Sequence, residues 1–556
     1  MTNLFQEIVS KRGLSSDFLN PKYLSDPKCH NKLPDMKKAI TRISEAINKG
    51  QKVMVYGDYD VDGVTATTVM VNALKMAGLS EVSTMLPDRF IDGYGMSKRS
   101  VERAKADGID LIITVDCGSN NAEVILELNA ASIDVIVTDH HEVMAEVPEA
   151  LAVVNPKRTD ISEAAKKKII DAGLNDLAGV GVAFMVARGL VEKELIKEGQ
   201  EKWLLDLVLI GTLCDSMELS KTNRELTYYG LKVLVKTKRV GLIELMKVAK
   251  TTELTAEAIG FQIGPRLNAG GRMESAELSL ELLLTDSRVE AVRLADELNT
   301  LNMRRRDEQQ AAMLEIETKV EELSKPVIVV TGSWHEGVLG IIAGRLVEKY
   351  HKPAFVLSKV EVSDEDGDGI VDIYKGSGRS FGEFDLAETL RNLKSIYSGG
   401  GHAGACGLKV LPEKIKDFSE EVNEYYESLM LEDQGRFFGV ESEVRTSDLS
   451  EFKPELLNEL RQLEPFGTGN EEPIIELTNV EIVESRGVGK DEKHLRMIVE
   501  RDGSRMTLVA FSAPKRWFKF QVGELVDVKI KFLRNEWNGR VSVEGRILEI
   551  QGCIFE

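Results

Sequence analysis

Cysteine is scarce and scattered in this chain. The 556 residues hold five, Cys29, Cys117, Cys214, Cys406 and Cys553, with no CxxC pair. An odd, dispersed set argues against a disulfide framework and a structural zinc site, and fits a reducing compartment. Long apolar runs are missing too, since none approaches the roughly 18 residues that span a bilayer. The opening stretch MTNLFQEIVSKRG lacks the basic end, apolar stretch and small-residue cleavage site of a signal peptide. A cytoplasmic protein with no membrane attachment is expected. Positive charge is also short. Lys and Arg total 71 against 91 Asp and Glu, a formal charge of −20. Taken whole, that runs against the basic footprint of a nucleic-acid binder, although net charge is silent about where charges sit. Internal repeats and low-complexity tracts are absent as well.

What is present is a strand–helix alternation. At roughly 100–200 residues per domain the length predicts three to five domains. VMVY (53–56), LIITV (111–115), DVIVT (134–138) and LAVVN (151–155) read as buried strands, with a helix over 64–78. Strands alternating with helices imply a parallel sheet covered on both faces, and such sheets bind ligands beyond the carboxyl ends of their strands. Residues 160–320 read as mostly helical. The stretch 286–324 has no Pro or Gly and predicts one or two long helices. A second α/β segment follows, with VIVVTG (327–332), a helix over 338–350 and AFVLS (354–358). The acidic run SDEDGDG (363–369) reads as a turn between strands. From about 477 onward, short strands and turn residues predict a β-barrel or sandwich.

Carboxylates and imidazoles fall at the strand ends. VMVY runs into Gly57-Asp58-Tyr59-Asp60-Val61-Asp62-Gly63, LIITV into Asp116, and DVIVT into Asp139-His140-His141. Asp215 follows the apolar run LVLIGTLC (207–214). Any one Asp in such a place can be a helix cap or turn residue. Together they would repel one another unless a cation compensates them. Mixed Asp and His ligands without thiolate suit Mn²⁺ or Mg²⁺. DYDVDG also begins like a calcium loop, but it lacks the later bidentate Glu.

These residues carry a resemblance. GDYDVDG, Asp116, DHH (139–141) and Asp215 resemble the motifs of the DHH phosphoesterase superfamily. LPDRFIDGYG (86–95), PRLNAGGRM (265–273), LNMRRRDEQ (301–309), KGSGRS (375–380), SGGGHAGACG (398–407) and LEPFGTGNEEP (463–473) resemble, in order, its RecJ exonuclease family. The resemblance implies a multidomain α/β protein. It would have an N-terminal segment (1–45), a parallel-sheet DHH catalytic domain with a helical extension (46–285) and a long connecting helix (286–325). A second α/β, DHH-associated domain (326–430), a linker (431–476) and an OB-like β-barrel (477–556) would follow. The implied activity is 5′→3′ hydrolysis of single-stranded DNA to mononucleotides, in recombination and repair.

By the same resemblance, Asp60, Asp62, Asp116, His140 and Asp215 bind two divalent cations, with Asp116 bridging. Some superfamily members carry a His where this chain has Tyr56, so Asp58 or water completes that shell. His141 would face the scissile phosphate, making Asp116, His140 and His141 the catalytic set. Arg89, Ser377 and Arg379 would hold the 5′ phosphate, Arg266 and Arg272 the backbone, and His402 a phosphate near the cut. Tyr94 fits either a base-stacking surface or a packed core. Arg304, Arg305 and Arg306 fit either the strand's path or a solvated helix face. Residues 485–546 hold fourteen Lys and Arg against eight Asp and Glu, a local reversal of sign interleaved with aromatics, as in single-strand-binding OB-folds. Phe511, Phe520 and Phe532 are expected in the barrel core. Trp517, beside Lys515 and Arg516, and Trp537 are expected to be exposed for stacking. Expected partners are single-stranded DNA and a single-strand-binding protein or helicase, with the chain itself a monomer. A catalytically dead scaffold would predict eroded ligand motifs, and a small-substrate phosphodiesterase a shorter chain without the barrel.

Overall fold

Strand β1 (Val53–Tyr56) is apolar on both faces and wholly buried, as a central parallel strand must be. In the computed structural model, which describes residues 2–363, 370–429, 440–489, 492–537 and 540–553, it is flanked by β2 (Val82–Met85) and β3 (Leu111–Val115). Beyond β3 lie β4 (Asp134–Thr138) and β5 (Ala152–Val154). The order is β2-β1-β3-β4-β5 and every pairing is parallel. Strand order reverses between β1 and β3, which is where such sheets open a crevice. Register aligns Tyr56 with Thr114 and Thr114 with Val137. The chain therefore leaves three neighbouring strands at one edge, within about a residue of one another.

Alternation along the strands builds two cores. Val53 and Val55 face one core, with helices Met36–Lys49, Val61–Met76 and Gly179–Glu192 over them. Met54 and Tyr56 face the other, under Lys98–Asp107 and Ala122–Ala130. Edge strand β2 escapes the sequence pattern because its first three residues are only half-buried. The run LVLIGTLC is a buried helix, Leu205–Cys214. Asp215 therefore arrives from a helix C-terminus rather than from a strand.

The Pro- and Gly-free stretch forms the helix Arg288–Ile316, 29 residues and about 44 Å at 1.5 Å per residue. A short helix, Val320–Ser324, follows. The second α/β unit has the strand order β6-β7-β8-β10-β9. These are Ile328–Gly332, Ala354–Ser363, Ile370–Arg379, Ser398–Gly401 and Ala405–Val410 for β6 to β10. The acidic turn expected at 363–369 lies, apart from Ser363, outside the described residues. Met273, Leu301 and Ile316 of the first unit share a core with Val338, Leu339 and Ile342 of the second.

The C-terminal unit comprises β11 (Val444–Thr446), β12 (Ile475–Val488), β13 (His494–Arg501), β14 (Ser504–Ala510), β15 (Leu525–Trp537) and β16 (Arg540–Gly552). The sheet runs β11-β12-β13-β14-β16-β15, and β12 also pairs with β15. That extra pairing closes β12 to β16 into the five-stranded barrel of an OB-fold. The start of the N-terminal stretch, silent in sequence, is part of this unit, whereas Leu24, Cys29 and Leu33 join the sheet-domain core. Helix Asn3–Lys11 puts Leu4, Phe5 and Ile8 into the barrel's core. Thr2 bonds Glu459 through its N–H at 2.9 Å and its hydroxyl at 2.7 Å, while Arg12 forks onto Glu443 at 2.6 and 2.7 Å. Buried Arg224 ties barrel to sheet domain by donating to the carbonyls of Phe18, Gln462 and Glu464.

Two aromatic expectations are reversed. Trp517 is 6% exposed and packs in the barrel core, whereas Phe511 is 66% exposed. The period of two explains Phe511: Met506, Leu508 and Ala510 point inward on β14, so residue 511 turns outward. Trp517 lies on the turn Lys515–Lys519, where it takes the inner side and leaves Lys515 and Arg516 exposed. Phe532 is in the core as expected, and Phe520 is half-buried against it. Trp537 ends β15 rather than standing in a turn, and its side chain is outside the described residues.

Candidate active site

Six carboxylates (Asp58, Asp60, Asp62, Asp116, Asp139 and Asp215) and two imidazoles converge beyond the carboxyl ends of β1, β3 and β4. Asp60 caps the helix Val61–Met76 by accepting from the Gly63 N–H at 3.0 Å. Asp62, in the first turn of that helix, accepts from the N–H groups of Gly179 at 2.6 Å and Val180 at 2.9 Å. It thus sits at the positive end of the helix Gly179–Glu192, where an anion is stabilised. Asp116 leaves β3 with φ at 61°, a left-handed conformation that Asp tolerates better than most residues. Its N–H is pinned to the Thr138 carbonyl at 2.9 Å. Gly211, from the helix that ends at Asp215, passes so close that a Cβ there would meet Thr65 at 2.5 Å and Asp62 at 2.8 Å.

Ligand-type atoms fall into overlapping groups. Asp58, Asp60 and Asp116 make one, Asp62, His140 and Asp215 a second, each with its atoms within 4.8 Å of one another. Asp116 also groups with His140 and His141. His140 Nε2 lies 3.2 Å from Asp116, 3.6 Å from Asp215 and 3.8 Å from Asp62. Asp116 therefore stands between the two sets. Burial and mutual repulsion hold these acids far from their usual state. Burial, then the charge of Asp60, pushes Asp62 up to about 7, and burial with Asp62 pushes Asp215 up to about 8. Asp58 and Asp116 are raised well above the usual range for the same reasons. His140 is pushed down to about 3 by burial and by His141, which leaves a neutral imidazole.

The residues fit divalent cations. Asp58 Oδ1, Asp116 Oδ1 and His140 Nε2 are buried without a hydrogen-bond partner, a cost that native proteins avoid unless something binds there. Oxygen and imidazole donors without thiolate match Mn²⁺ or Mg²⁺.

Asp139, which the sequence places in the motif without a role, is the orienting group. It accepts from the N–H groups of Ser119, His140 and His141 and from His141 Nδ1 at 2.8 Å. Burial alone would raise its pKa, but the His141 hydrogen bond and charge hold it well below the usual range. His141 shows the converse: burial would lower it, and Asp139 raises it to about 9. Tyr94, half-exposed, brings its hydroxyl to 2.8 Å from His141 Nδ1, its ring edge-on to the imidazole. Tyr56, where some superfamily members carry His, is buried and donates to the Gly95 carbonyl at 2.9 Å, fixing the loop that presents Tyr94. Gly179 is a further residue that sequence reasoning missed, and it passes too close to Asp116 to carry a side chain.

Arginines ring the acidic pocket. Arg272 is lowered to about 10 by burial and by the charges of Arg89 and Arg305, with Asp60 opposing and Arg379 adding. Arg89 lies 5.0 Å over the Tyr59 ring. Arg379 donates to Ser377 at 3.2 Å, and both lie against Gly340 in the first turn of the helix Leu339–Tyr350. The expected phosphate ligands Arg89, Ser377 and Arg379 are thus brought together with Arg272. Arg266 is separate, bonded to Asn299 and the Gln262 carbonyl. Arg304 pairs with Glu308 on a solvated face. His402 lies on the exposed turn between β9 and β10, and its described hydrogen bonds do not reach the acidic cluster.

A parallel sheet with Asp and His ligands at its switch point, joined to a Gly-rich second α/β unit, defines a DHH-type protein. The family model for the DHH family N-terminal domain matches residues 52–212, the DHHA1 domain 324–428 and the RecJ OB domain 446–549. The chain is 35% identical to the single-stranded-DNA-specific exonuclease RecJ of Bacillus subtilis, over 97% of this chain and 67% of that protein. It is 32% identical to that of Escherichia coli, over 97% and 94%. The Mn²⁺ complex of RecJ from Thermus thermophilus superimposes with a TM-score of 0.81 and 28% identity, covering 99% of this chain and 76% of the other. The chain belongs to the RecJ family of single-stranded-DNA-specific exonucleases.

Proposed function

We propose that this chain is a metal-dependent exonuclease that hydrolyses single-stranded DNA from its 5′ end to mononucleotides, in recombination and repair. The observation that carries the proposal is the set of buried, unpartnered acceptors on Asp58, Asp116 and His140 beside a cluster of arginines. Asp58, Asp60 and Asp116 would hold one divalent cation, and Asp62, His140 and Asp215, with Asp116 between, the other. Two such cations, Mn²⁺ or Mg²⁺, activate a water and stabilise the leaving oxygen of a phosphodiester. The chain's own groups do the rest. Asp139 keeps His141 protonated, so that His141 offers a charged donor to the scissile phosphate, with Tyr94 bracing its ring. Arg89, Arg272, Ser377 and Arg379 form a fork-lined seat for the terminal phosphate. Arg266 and His402 would meet backbone phosphates, and Lys515 and Arg516 on the barrel would attract the strand.

The domain division is read as sheet domain, long helix, second α/β domain and barrel, as the sequence suggests, with the N-terminal helix docked on the barrel. Among the described residues, no helix is long and apolar enough to cross a membrane. We place the protein in the cytoplasm as a monomer, supplied with strands by a single-strand-binding protein or helicase. The test is incubation with 5′-phosphorylated single-stranded and duplex oligonucleotides, in Mn²⁺ or EDTA. Mononucleotide release from the 5′ end of single strands, abolished by EDTA, is expected. Asp116→Ala should abolish release and leave strand binding within a few-fold. Surviving activity would overturn the metal assignment.

A further inference from the structure

A cavity of about 1080 Å³ lies between the sheet domain and the barrel. Cys214 and Ser216, the neighbours of Asp215, line one end of it. Cys214 also feels the charges of Asp60, Asp62 and Asp215, so the cavity borders the acidic site. Phe261 lines the same cavity and is 75% exposed. It stands on a single π-helical turn, Ile259–Ile263, a feature that tends to mark functional positions. Gly260 beside it faces open space, since a Cβ there would meet nothing within 4 Å. Phe261 therefore shows most of its ring to the cavity, with no side chain at 260 beside it.

A guanidinium with an unbonded Nε accompanies it. Arg305 also lines the cavity, and its Nε is buried without a hydrogen bond. Three other cations on these walls are paired with glutamates, Lys531 with Glu472, Arg461 with Glu253 and Arg546 with Glu257, and Arg272 belongs to the phosphate seat. An exposed aromatic face with a spare guanidinium donor in the same cavity is the pair that one nucleotide needs, a surface for its base and a donor for its phosphate.

We propose that Phe261 and Arg305 form a nucleotide subsite in this cavity, gripping a base and phosphate on the 3′ side of the cut. This rests on the exonuclease reading above and adds a position that sets strand affinity. Phe261 is a positioning residue, since it holds the strand and does not touch the reacting atoms.

The experiment compares wild type, Phe261→Ala and Phe261→Trp on 5′-phosphorylated single strands, from a dinucleotide to about twenty nucleotides, which brackets the roughly 4–16 that an OB fold holds. Phe261→Ala should raise KM for long strands roughly 5- to 150-fold, the value of one base stack. Its kcat at saturation should stay within about 2-fold, and Phe261→Trp should restore KM. The shortest strand that shows the penalty counts the nucleotides between the cut and the subsite. With 2-aminopurine scanned along the strand, quenching should peak at that position in wild type and vanish in Phe261→Ala. Because the ring is already in water, Tm should not move. If wild type degrades single strands and Phe261→Ala matches its KM at every length, the subsite is refuted while the exonuclease reading stands. If wild type releases nothing from any strand, it is that earlier reading that fails.

Discussion

Replacing Gly179 by alanine tests the site without touching a charge. Gly179 opens the helix whose N–H groups hold Asp62. A Cβ built there would lie 2.5 Å from Asp116 Cβ and 2.6 Å from its Oδ1. Ordinary contacts begin near 3.4 Å, so something must yield by about 0.9 Å. Asp116 cannot retreat freely, because its N–H is fixed to Thr138 and its φ is already at 61°. If the helix retreats instead, the 2.6 Å bond to Asp62 lengthens. Either way one acid moves by nearly 1 Å. A misplacement of that size costs about 10²-fold in rate, and a disturbed supporting contact costs about 10–100-fold in metal affinity. Single-turnover release of mononucleotide and calorimetric titration with Mn²⁺ read the two effects. Gly181→Ala in the same helix is the control, since the nearest atoms to its Cβ belong to the Leu177 side chain, from 3.0 Å, and not to the site, and alanine favours the helix by up to about 1 kcal/mol. Should Gly179→Ala cleave within about 3-fold of wild type while folding normally, the tight packing around Asp116 is not what places it, and the reasoning falls.

Three further outcomes are expected. The metal-free protein should lose stability as pH rises from about 6.5 to 9. Asp62, Asp215 and His141 have folded pKa values near 7, 8 and 9, above their unfolded values, so the folded state binds more protons than the unfolded chain in that window; Tm in EDTA should fall across it, saturating Mg²⁺ should flatten the slope, and a flat EDTA curve would contradict the buried repulsion. Trp517→Ala should cost about 3–5 kcal/mol as a core deletion, whereas Phe511→Ala should leave chemical denaturation unchanged; equal effects would mean the barrel faces are wrongly assigned. Arg224→Met strips donors from the carbonyls of Phe18, Gln462 and Glu464, at about 1–3 kcal/mol for each acceptor left buried and unpaired; the barrel should become the first part cut in limited proteolysis, and an unaltered digestion pattern would show that this junction does not hold it.

Legibility followed the range over which each physical cause acts. Strands β1, β3 and β4 run between the residues that their apolar runs predict, because a strand buried on both faces has to be continuously apolar. The convergence of Asp60, Asp116 and His140 was legible as well, since strand ends of one parallel sheet share an edge. Asp139 was visible only as a letter of the motif, because its use is a three-dimensional matter of four donors reaching one carboxylate. Gly179 left no trace at all, since nothing local distinguishes a glycine that clears space for a residue 63 positions earlier. Phe511 and Trp517 could have been assigned correctly, since the alternation Met506, Leu508, Ala510 already sends residue 511 outward. Composition drew attention to the tryptophan, and the local period carried the answer. The docking of helix Asn3–Lys11 on a barrel more than 400 residues away lies beyond any local signal.

The −20 charge then stops being an objection to a nucleic-acid enzyme. Five of the acids, Asp58, Asp60, Asp62, Asp116 and Asp215, face one another, and four are raised by burial, so part of the formal charge is absent at neutral pH even before a cation arrives. The guanidinium groups of Arg89, Arg272 and Arg379 stand beside that cluster and act on one another's charge. Most other cations on the walls of the long cavity are tied to glutamates. On the proposed reading, the positive charge that a strand uses gathers locally, at the phosphate seat, around Arg266 and Arg305, and on the outer turn of the barrel at Lys515 and Arg516. Separate local holds of that kind would suit a threaded single strand better than a duplex. Local placement of charge, rather than its sum, is what decides whether an acidic protein can grip DNA.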